Sequence, residues 1–560
     1  MTGAADLRRT IVVCVLLAAA VAYAIWQVWA LRWVTDDAFI SFRYAQNLLH
    51  GYGLVFNVGE RVEGYTNFLW TLIAAFGMRL GVDPVTWAAA LGALAYFASA
   101  GTWMALSWTL HRRDPSRPFL PLAALCLLVQ HDQHVFATCG LETSWVTLFV
   151  TLGFVALILA TRPRDHYLAG AALTVAALSR PDALVFLVSA VAMVLATSSD
   201  RWRAAVRLLA IPVLVYVPYW IWRTAYYGLP FPNTYYAKSG GLAYYEQGVH
   251  YLALYLKSYY VLALVPAALA WLLVRSRHSA TRPAGSDSRT AWLLLAFLVP
   301  YTLYVVRVGG DFMFGRFLLP VAGFGYFALE RALVSLSLRR VTVVVVGLLM
   351  VILTWSRYDI YTESLIVQGV ADEPACYPAT WHERAQSSGP MLRSLFEGRD
   401  VRVAFTGRYA MWVYYAQPST AIEAETGLTD TAIAHGPLTA RGRPGHEKPA
   451  SLEYLQSRGV HFLFRPPIES DHPMDRLRVV RLHGFEALML TYDQALLDTW
   501  EGNTDVSFVD FPRTLDRMIS DSATASRQEF AELLEFSRGY YFSRQPDPGR
   551  RSALERLAGQ

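Results

Sequence analysis

The sequence predicts a polytopic α-helical membrane protein of about eleven spans that carries a C-terminal extracytoplasmic α/β domain. Three observations predict it. Of the 560 residues, 54% are hydrophobic and only 17% are charged, with a mean hydropathy of +0.29. The apolar residues fall in blocks near ~20 long, enough to cross ~30 Å of hydrocarbon at ~1.5 Å per residue. After Trp355 the pattern changes, and the apolar runs shorten to strand length.

Charge orients the spans. Arg8 and Arg9 precede the first apolar block, and later clusters are Arg112/Arg113/Arg117, Arg162/Arg164, Arg201/Arg203/Arg207, Arg275/Arg277/Arg282 and Arg339/Arg340. With all of them on the cytoplasmic side, the spans that keep parity are 10–31, 85–110, 118–131, 145–161, 167–180, 183–198, 204–223, 259–275, 291–307, 317–335 and 341–356. The first block is too long for a signal-peptide core and no A-x-A-like site follows it, so it is expected to be retained. The N-terminus is then cytoplasmic and the C-terminal part extracytoplasmic. The apolar stretch from Phe68 to Leu80 is short for a crossing and is expected to lie as an interfacial or re-entrant helix on the outer side. The 17 Trp and 31 Tyr suit interfacial belts.

The expected organisation is a membrane module over 1–356, with an outer catalytic loop at 32–67, and an outer α/β domain over 357–560. In the latter, VRVAFT (401–406), HFLFR (461–465) and LRVVRL (477–482) read as strands and SLEYLQSRG (451–459) as a helix. The pattern does not specify the order of the strands. A net charge of +5 with a pI near 8.9 follows from the arginine-rich inner loops, so no nucleic-acid partner is expected. Cys14 and Cys126 sit in predicted spans. Cys139 and Cys376 fall outside them on the same predicted side, which leaves one disulfide open to them, and no cysteine spacing supports a zinc site.

Nearly all unusual polar residues fall in the outer segments. TDDAFISFRYAQNLLHGYGLVFNVGERVEGYTN sets Asp36, Asp37, Glu60 and Glu63 near Arg43 and Arg61, with Tyr44, Tyr52 and Tyr65 between them. Paired acids beside a membrane are costly unless they meet water, a cation or a substrate. Adjacent acids raise each other's pKa, which suits one of them to deprotonate or attack. TDDAFISF also reads as an ordinary helix start with acids in its first turn; its place directly after the first span favours chemistry. Glu63, Tyr65 and Asn67 are hydrogen-bonding groups at the mouth of an apolar helix, suited to sugar hydroxyls or equally to capping.

Further along, His131, Asp132 and His134 are close enough to share a metal but lack a recognised spacing, and Glu142 at the top of a span calls for a partner, with Arg180 of SRPD a candidate. GLPFPNTYYAKSGG supplies Asn233, Tyr235 and Lys238 for a lipid phosphate, or Lys238 as a snorkelling anchor. In RVGGDFMFGRF, Asp311 and Arg316 frame aromatic residues, with Asp311 a candidate for sugar hydroxyls and Arg307 and Arg316 for the phosphate, or the loop is a plain salt-bridged turn. In the outer domain, His435, Arg443, His446, Glu447 and Lys448 belong to a loop rich in Gly, His and Arg, either a polyol site or a solvated loop. No cofactor is expected, although the acid pair leaves room for a divalent cation.

An Asp-Asp pair just after the first span, an amphipathic loop and alternating spans resemble the GT-C superfamily of polyprenyl-phosphate-sugar glycosyltransferases. TDDAFISFRYAQNLLHGYGLVFNVGERVEGYTNFLW, CGLETSW, GLPFPNTYYAKSG, GGDFMFGRFLLP and GLTD…RGRPGHEKP resemble the branch of mycobacterial terminal arabinofuranosyltransferases. The resemblance implies a GT-C fold, a decaprenyl-phosphoryl-arabinofuranose donor and an arabinogalactan or lipoarabinomannan acceptor at the bacterial plasma membrane. It implies that Asp36 and Asp37 are the catalytic motif. It also implies a β-linkage formed from a β-linked donor, whereas one carboxylate acting only as base predicts inversion; base and nucleophile both stay open. A transporter would put acids near the bilayer midplane and pair its halves. Here the acids sit at the outer mouths and the halves do not match. A glycan-binding scaffold would leave the 32–67 loop without a role.

Overall fold

The computed structural model describes residues 2–278, 286–378, 380–438, 440–465, 473–521 and 525–559. It divides into two compact units. One comprises Met1–Ser41, Thr66–Phe231 and Gly240–Tyr377, the other Phe42–Tyr65, Pro232–Ser239 and Pro378–Gln560. The division therefore differs from the 356/357 boundary that composition suggests. Residues 357–377 are polar enough to read as outer domain, yet they pack with the helices. The segments 42–65 and 232–239 lie between apolar blocks, yet they pack with the sheet. Hydropathy reports what a segment is made of and not which partners its side chains find.

The first unit is helical. Among its described residues three helices are long and apolar enough to cross a membrane: Pro84–Arg113, Arg201–Tyr227 and Ser288–Arg307. A fourth crossing is available from Tyr245–Ser258 and Tyr260–Ser276, which meet at 108°. Shorter apolar helices run over Val15–Ala30, Thr143–Leu159, Pro181–Thr197 and Arg340–Trp355. Large apolar side chains point outward, Leu214 at 70% and Val341 at 72% exposure, as a lipid-facing surface requires. The interior is aromatic, with Trp103 buried against Phe154, Phe324 and Phe327 at ring separations of 5.7, 5.1 and 5.1 Å. This is a multi-pass helical membrane unit.

Three elements differ from expectation or sharpen it. The span expected over 118–131 is a helix only over Leu122–Val129, about 12 Å long at ~1.5 Å per residue. Pro121 starts it, and the backbone breaks at Gln130 before a second short helix, His131–Ala137. Phe68–Arg79 is a 12-residue helix, at ~18 Å too short for a ~30 Å crossing. Pro212 lacks the N–H that an unbroken ladder needs, and the chain answers with a π-helical stretch over Pro212–Tyr216 before continuing to Tyr227. Gly228, at φ 76°, ends that helix in the left-handed region.

The second unit is built on a six-stranded sheet. Its strands lie in the order Thr420–Glu423, Arg402–Phe405, Phe462–Phe464, Phe485–Met489, Val479–Leu482 and Val506–Phe508. The first three are parallel and the rest antiparallel. Helices Ala410–Ala416 and Leu452–Ser457 fall between the parallel strands, as such crossovers demand. The strands and helix read from the sequence are all present, each strand two residues shorter and the helix three. Asn57 covers the sheet edge: its amide donates to the Ala421 carbonyl at 2.9 Å and accepts the Ala421 N–H at 2.8 Å. That exchange occupies backbone groups an open edge would leave unpaired. Cys126, Cys139 and Cys376 are free thiols, so the disulfide open to Cys139 and Cys376 does not form; the buried Cys139 thiol turns to the Phe136 carbonyl at 3.4 Å.

Candidate functional site

The site is built around the start of the helix Asp36–Leu49, whose first turn carries both aspartates. Unpaired N–H groups and the helix dipole favour acids there, so the capping and the chemical readings of TDDAFISF describe the same residues. Thr35 N–H donates to the Cys139 carbonyl at 3.0 Å, and Asp36 N–H donates to the Tyr377 hydroxyl at 3.1 Å. Asp36 is 6% exposed. Asp37 is more open, its side chain 37% exposed, with Oδ2 3.9 Å from Arg316 Nη1.

Arg316 belongs to the loop RVGGDFMFGRF, shaped by glycines at positive φ. Gly309, Gly310 and Gly315 stand at 88°, 73° and 72°. A Cβ on them would meet Tyr244, Tyr251 and Tyr255 respectively, tyrosines at helical spacing beside or on the helix Tyr245–Ser258. The loop is thus laid backbone-first on a tyrosine ridge. The Tyr251 hydroxyl donates to the Met313 carbonyl at 3.1 Å and accepts the Phe317 N–H at 3.2 Å, bracketing Arg316. Within the loop Arg316 Nε lies 2.5 Å from Asp311 Oδ2, an ion pair buried at 9% and 2% side-chain exposure. Gly310→Ala is expected to lower the thermal midpoint by several degrees, because left-handed backbone costs a non-glycine residue about 1–2 kcal/mol before any clash with Tyr251; thermal unfolding of the purified protein checks it.

A second arm of the site runs through Asn67, Glu142 and Arg180. Asn67 receives Ser41 Oγ at 3.0 Å and Thr71 Oγ1 at 3.2 Å on Oδ1, and donates to Glu142 Oε2 at 2.9 Å. Glu142 Oε1 lies 3.9 Å from Arg180 Nε. Arg180 in turn forks onto Asp182, Nη2 at 2.6 Å and Nε at 3.1 Å, and Tyr301 donates to the same carboxylate at 2.7 Å. The two arms converge on Phe317, whose ring lies 4.6 Å from the Arg180 guanidinium and 5.4 Å from that of Arg316. Arg180 is 5% exposed, and its Nη1 is buried with no hydrogen-bond partner among the described residues. A buried guanidinium N–H without an acceptor is expensive; an anion between the arginines would satisfy it.

Asp36, Asp37, Asn67, Glu142, Arg180, Asp311 and Arg316 thus lie together in the helical unit. The other sequence candidates have different surroundings. Arg43 is buried and spends three donors on carbonyls, Phe56 at 2.8 Å, Val413 at 3.2 Å and Pro418 at 2.9 Å, a clasp within the second unit. Tyr65 packs on Tyr44 at 4.6 Å. Asn233 N–H donates to the Glu63 carbonyl at 3.0 Å, while its amide group donates to Gly427, Leu428 and Asp430 carbonyls. Tyr235 packs edge-on to Tyr236. Lys238 is exposed and its stem lies beside Gly445. His446 Nδ1 sits 3.3 Å from the Pro444 carbonyl, and Lys448 donates to the Tyr236 and Ala434 carbonyls. Arg307 is exposed.

The His131, Asp132, His134 group does not assemble as a metal triad. Asp132 takes the Tyr259 hydroxyl and Arg357 at 3.4 Å, while His134 Nε2 faces the Leu128 carbonyl at 3.0 Å. Among the described residues no three His, Cys, Asp or Glu side chains are grouped to hold a metal. Sequence reading passed over Tyr301, Phe317, Tyr251 and Tyr377. The one local signal was for Tyr301, a hydroxyl inside an apolar span whose burial demands a partner; the others are ordinary loop or helix residues until the chain folds.

No protein-family model matches the chain. It is 30% identical over 387 residues to the terminal β-(1→2)-arabinofuranosyltransferase of Corynebacterium glutamicum, covering 62% of this chain and 54% of that protein. It is 32% identical over 326 residues to the Mycobacterium tuberculosis protein of that name, covering 52% and 51%. The chain thus spans about half the length of the curated relatives it matches. Crystal structures of ArnT from Cupriavidus metallidurans are also similar. The one bound to undecaprenyl phosphate has a TM-score of 0.44 at 14% identity over 75% of this chain and 87% of that one. The apo structure has a TM-score of 0.48 at 13% identity over 81% and 92%. In sequence, the chain is similar to these two terminal β-(1→2)-arabinofuranosyltransferases at about 30% identity.

Proposed function

We propose that the chain is an integral-membrane glycosyltransferase of the GT-C type that moves a sugar from a polyprenyl-phosphate donor onto a cell-envelope glycan at the outer face of the bacterial plasma membrane. The transferred sugar is arabinofuranose, in keeping with the names of the curated relatives; its proposed carrier is decaprenyl phosphate and its proposed acceptor arabinogalactan or lipoarabinomannan. The observation that carries the reading is the pair of buried arginines, Arg180 and Arg316, meeting at Phe317 in the same unit as Asp36 and Asp37. Arginine matches phosphate geometry and stays charged when buried.

In this reading Arg180 and Arg316 hold the donor phosphate and take up charge as it leaves. The acceptor hydroxyl oxygen forms the new bond to the anomeric carbon. The bond from that carbon to the phosphate oxygen breaks with its electron pair, and the hydroxyl proton passes to a carboxylate of the aspartate pair. If one aspartate acts only as base, the product is inverted; if one attacks first, two displacements give retention. Asn67, Glu142 and Asp311 grip sugar hydroxyls around this centre. No cofactor enters the reaction, the N-terminus is cytoplasmic and the sheet-bearing unit is extracytoplasmic.

The test is sugar transfer by the purified protein in lipid nanodiscs, with a panel of polyprenyl-phosphate sugars, synthetic arabinan acceptors and a chelator arm. The expected result is pentose transfer from the arabinofuranose donor that survives chelation and stops in the Asp36→Asn, Asp37→Asn double variant. Normal turnover by that variant would overturn the assignment. Transfer only from another donor would replace the arabinose reading while keeping the chemistry, and lipid-linked sugar export without acceptor would make the chain a transporter.

A further inference from the structure

The chain does not leave the helical unit at the end of its last apolar helix. Residues 357–377 run back along that unit and are gripped at several points. Arg357 Nη1 lies 3.4 Å from Asp132 Oδ2, whose carboxylate also takes the Tyr259 hydroxyl. Tyr358 N–H donates to the Ser258 carbonyl at 3.1 Å. A small hairpin follows, Ile366–Val367 against Val370–Ala371, and Gln247 Nε2 donates to the Gln368 carbonyl in its turn at 2.7 Å.

Two further contacts reach the candidate site itself. Ala371 pairs with the arginine loop as a β-bridge to Met313: Ala371 N–H donates to the Phe312 carbonyl at 2.7 Å and Phe314 N–H to the Ala371 carbonyl at 3.1 Å. Those bonds lie on the stretch between Asp311 and Arg316. Six residues later the Tyr377 hydroxyl accepts the Asp36 N–H at 3.1 Å. That amide opens the helix Asp36–Leu49, where no intrahelical acceptor exists, so Tyr377 caps the first turn from outside the helix. Tyr377 is itself seated by Trp33, edge-on at 5.6 Å. One short segment therefore holds the main chain of Asp36 at one end and the Asp311/Arg316 loop at the other. Asp37 and Arg316, 3.9 Å apart, sit on the two pieces it joins.

We propose that residues 357–377 are a positioning strap for the site and that Tyr377 is the positioning residue for Asp36. The strap sets the aspartate turn and the arginine loop in one register, so that the group acting on the acceptor and the group holding the leaving phosphate face the same anomeric carbon. This rests on the transferase reading above. Because misplacement by about 1 Å costs a reaction on the order of 10²-fold, loss of the strap shows in turnover before it shows in binding.

The experiment uses the full-length protein in nanodiscs and two variants, Tyr377→Phe, which removes the acceptor oxygen, and Gln247→Ala, which frees the hairpin turn. Hydrogen exchange over residues 33–40 reports the Asp36 amide directly, and steady-state kinetics with the donor and an arabinan acceptor report the reaction. For Tyr377→Phe the expected result is faster exchange at Asp36, kcat lower by about 10- to 100-fold and KM for both substrates within about threefold of the parent. Gln247→Ala is expected to lower kcat in the same direction by a smaller factor. Parental exchange and parental kcat in Tyr377→Phe would overturn the strap, as would a raised KM at unchanged kcat, which would make Tyr377 a binding contact instead. If the parent protein transfers no sugar, the transferase reading falls on that result alone. The exchange arm then still decides the strap: accelerated exchange at Asp36 supports the link, and unchanged exchange refutes it.

Discussion

Asp36→Asn lowers kcat by about 10²- to 10⁴-fold, the usual worth of a positioned acid or base, while the thermal midpoint stays near that of the parent. The substitution keeps the shape of the side chain and leaves the main-chain N–H that Tyr377 holds, so the first turn of the helix survives. What disappears is the basic or nucleophilic oxygen. Asp37→Asn gives a different signature. Its carboxylate is more open and faces Arg316 at 3.9 Å, so its loss leaves Arg316 held by Asp311 alone and weakens donor binding as well as turnover. Separate kcat and KM values for the two variants, with product stereochemistry by nuclear magnetic resonance, distinguish the roles. A retained product together with a trapped glycosyl-enzyme in one variant identifies the nucleophile; an inverted product identifies a base. Equal and parental rates in both variants would remove the pair from the mechanism.

Arg180→Leu unfolds the site as well as silencing it. Arg180, Asp182 and Glu142 are buried together, with side-chain exposures of 6%, 8% and 10%. Removing the cation paired with them leaves two acids in low dielectric with only the neutral donors Tyr301 and Asn67, and breaking such a buried pair costs about 3–5 kcal/mol. Arg180→Lys keeps the charge but not the fork onto Asp182, so it costs less stability while still losing the planar donor set that phosphate needs. Adding Glu142→Gln to Arg180→Leu relieves part of the buried charge and recovers part of the stability, yet transfer does not return. Thermal unfolding in detergent and binding of polyprenyl phosphate by each variant check the separation. Full stability in Arg180→Leu would mean that Arg180 does not hold this buried group together.

Much of the fold is legible in the chain because hydropathy and strand alternation are local properties. Each expected membrane segment contains a helix, and the strands at 402–405, 462–464 and 479–482 lie inside the runs that predict them. The shortening at 118–131 has a local cause, since Pro121 and the break at Gln130 confine the helix to Leu122–Val129. The site was legible by composition and not by contact. Asp36, Glu142, Arg180, Asp311 and Arg316 stand out because acids and arginines next to apolar helices need a reason to be there. Arg43 stood out on the same ground, and its reason is different: three carbonyls of a fold that brings residue 43 to residues 413 and 418.

By itself the sequence determined that this is a helical membrane protein with a small α/β domain toward its C-terminal end, and which charged residues it keeps at the ends of its apolar segments. Burial cost acts residue by residue along the chain, so it can be read there. Only the tertiary structure decided which of those charges meet. It turned Arg43 and Lys448 inward as clasps, brought Arg180 and Arg316 together at Phe317, and returned Tyr377 to the amide of Asp36 across 341 residues. Those choices depend on the close approach of backbone to side chain, as where Gly309, Gly310 and Gly315 lie on the tyrosine ridge, and such distances exist only once the helices have packed.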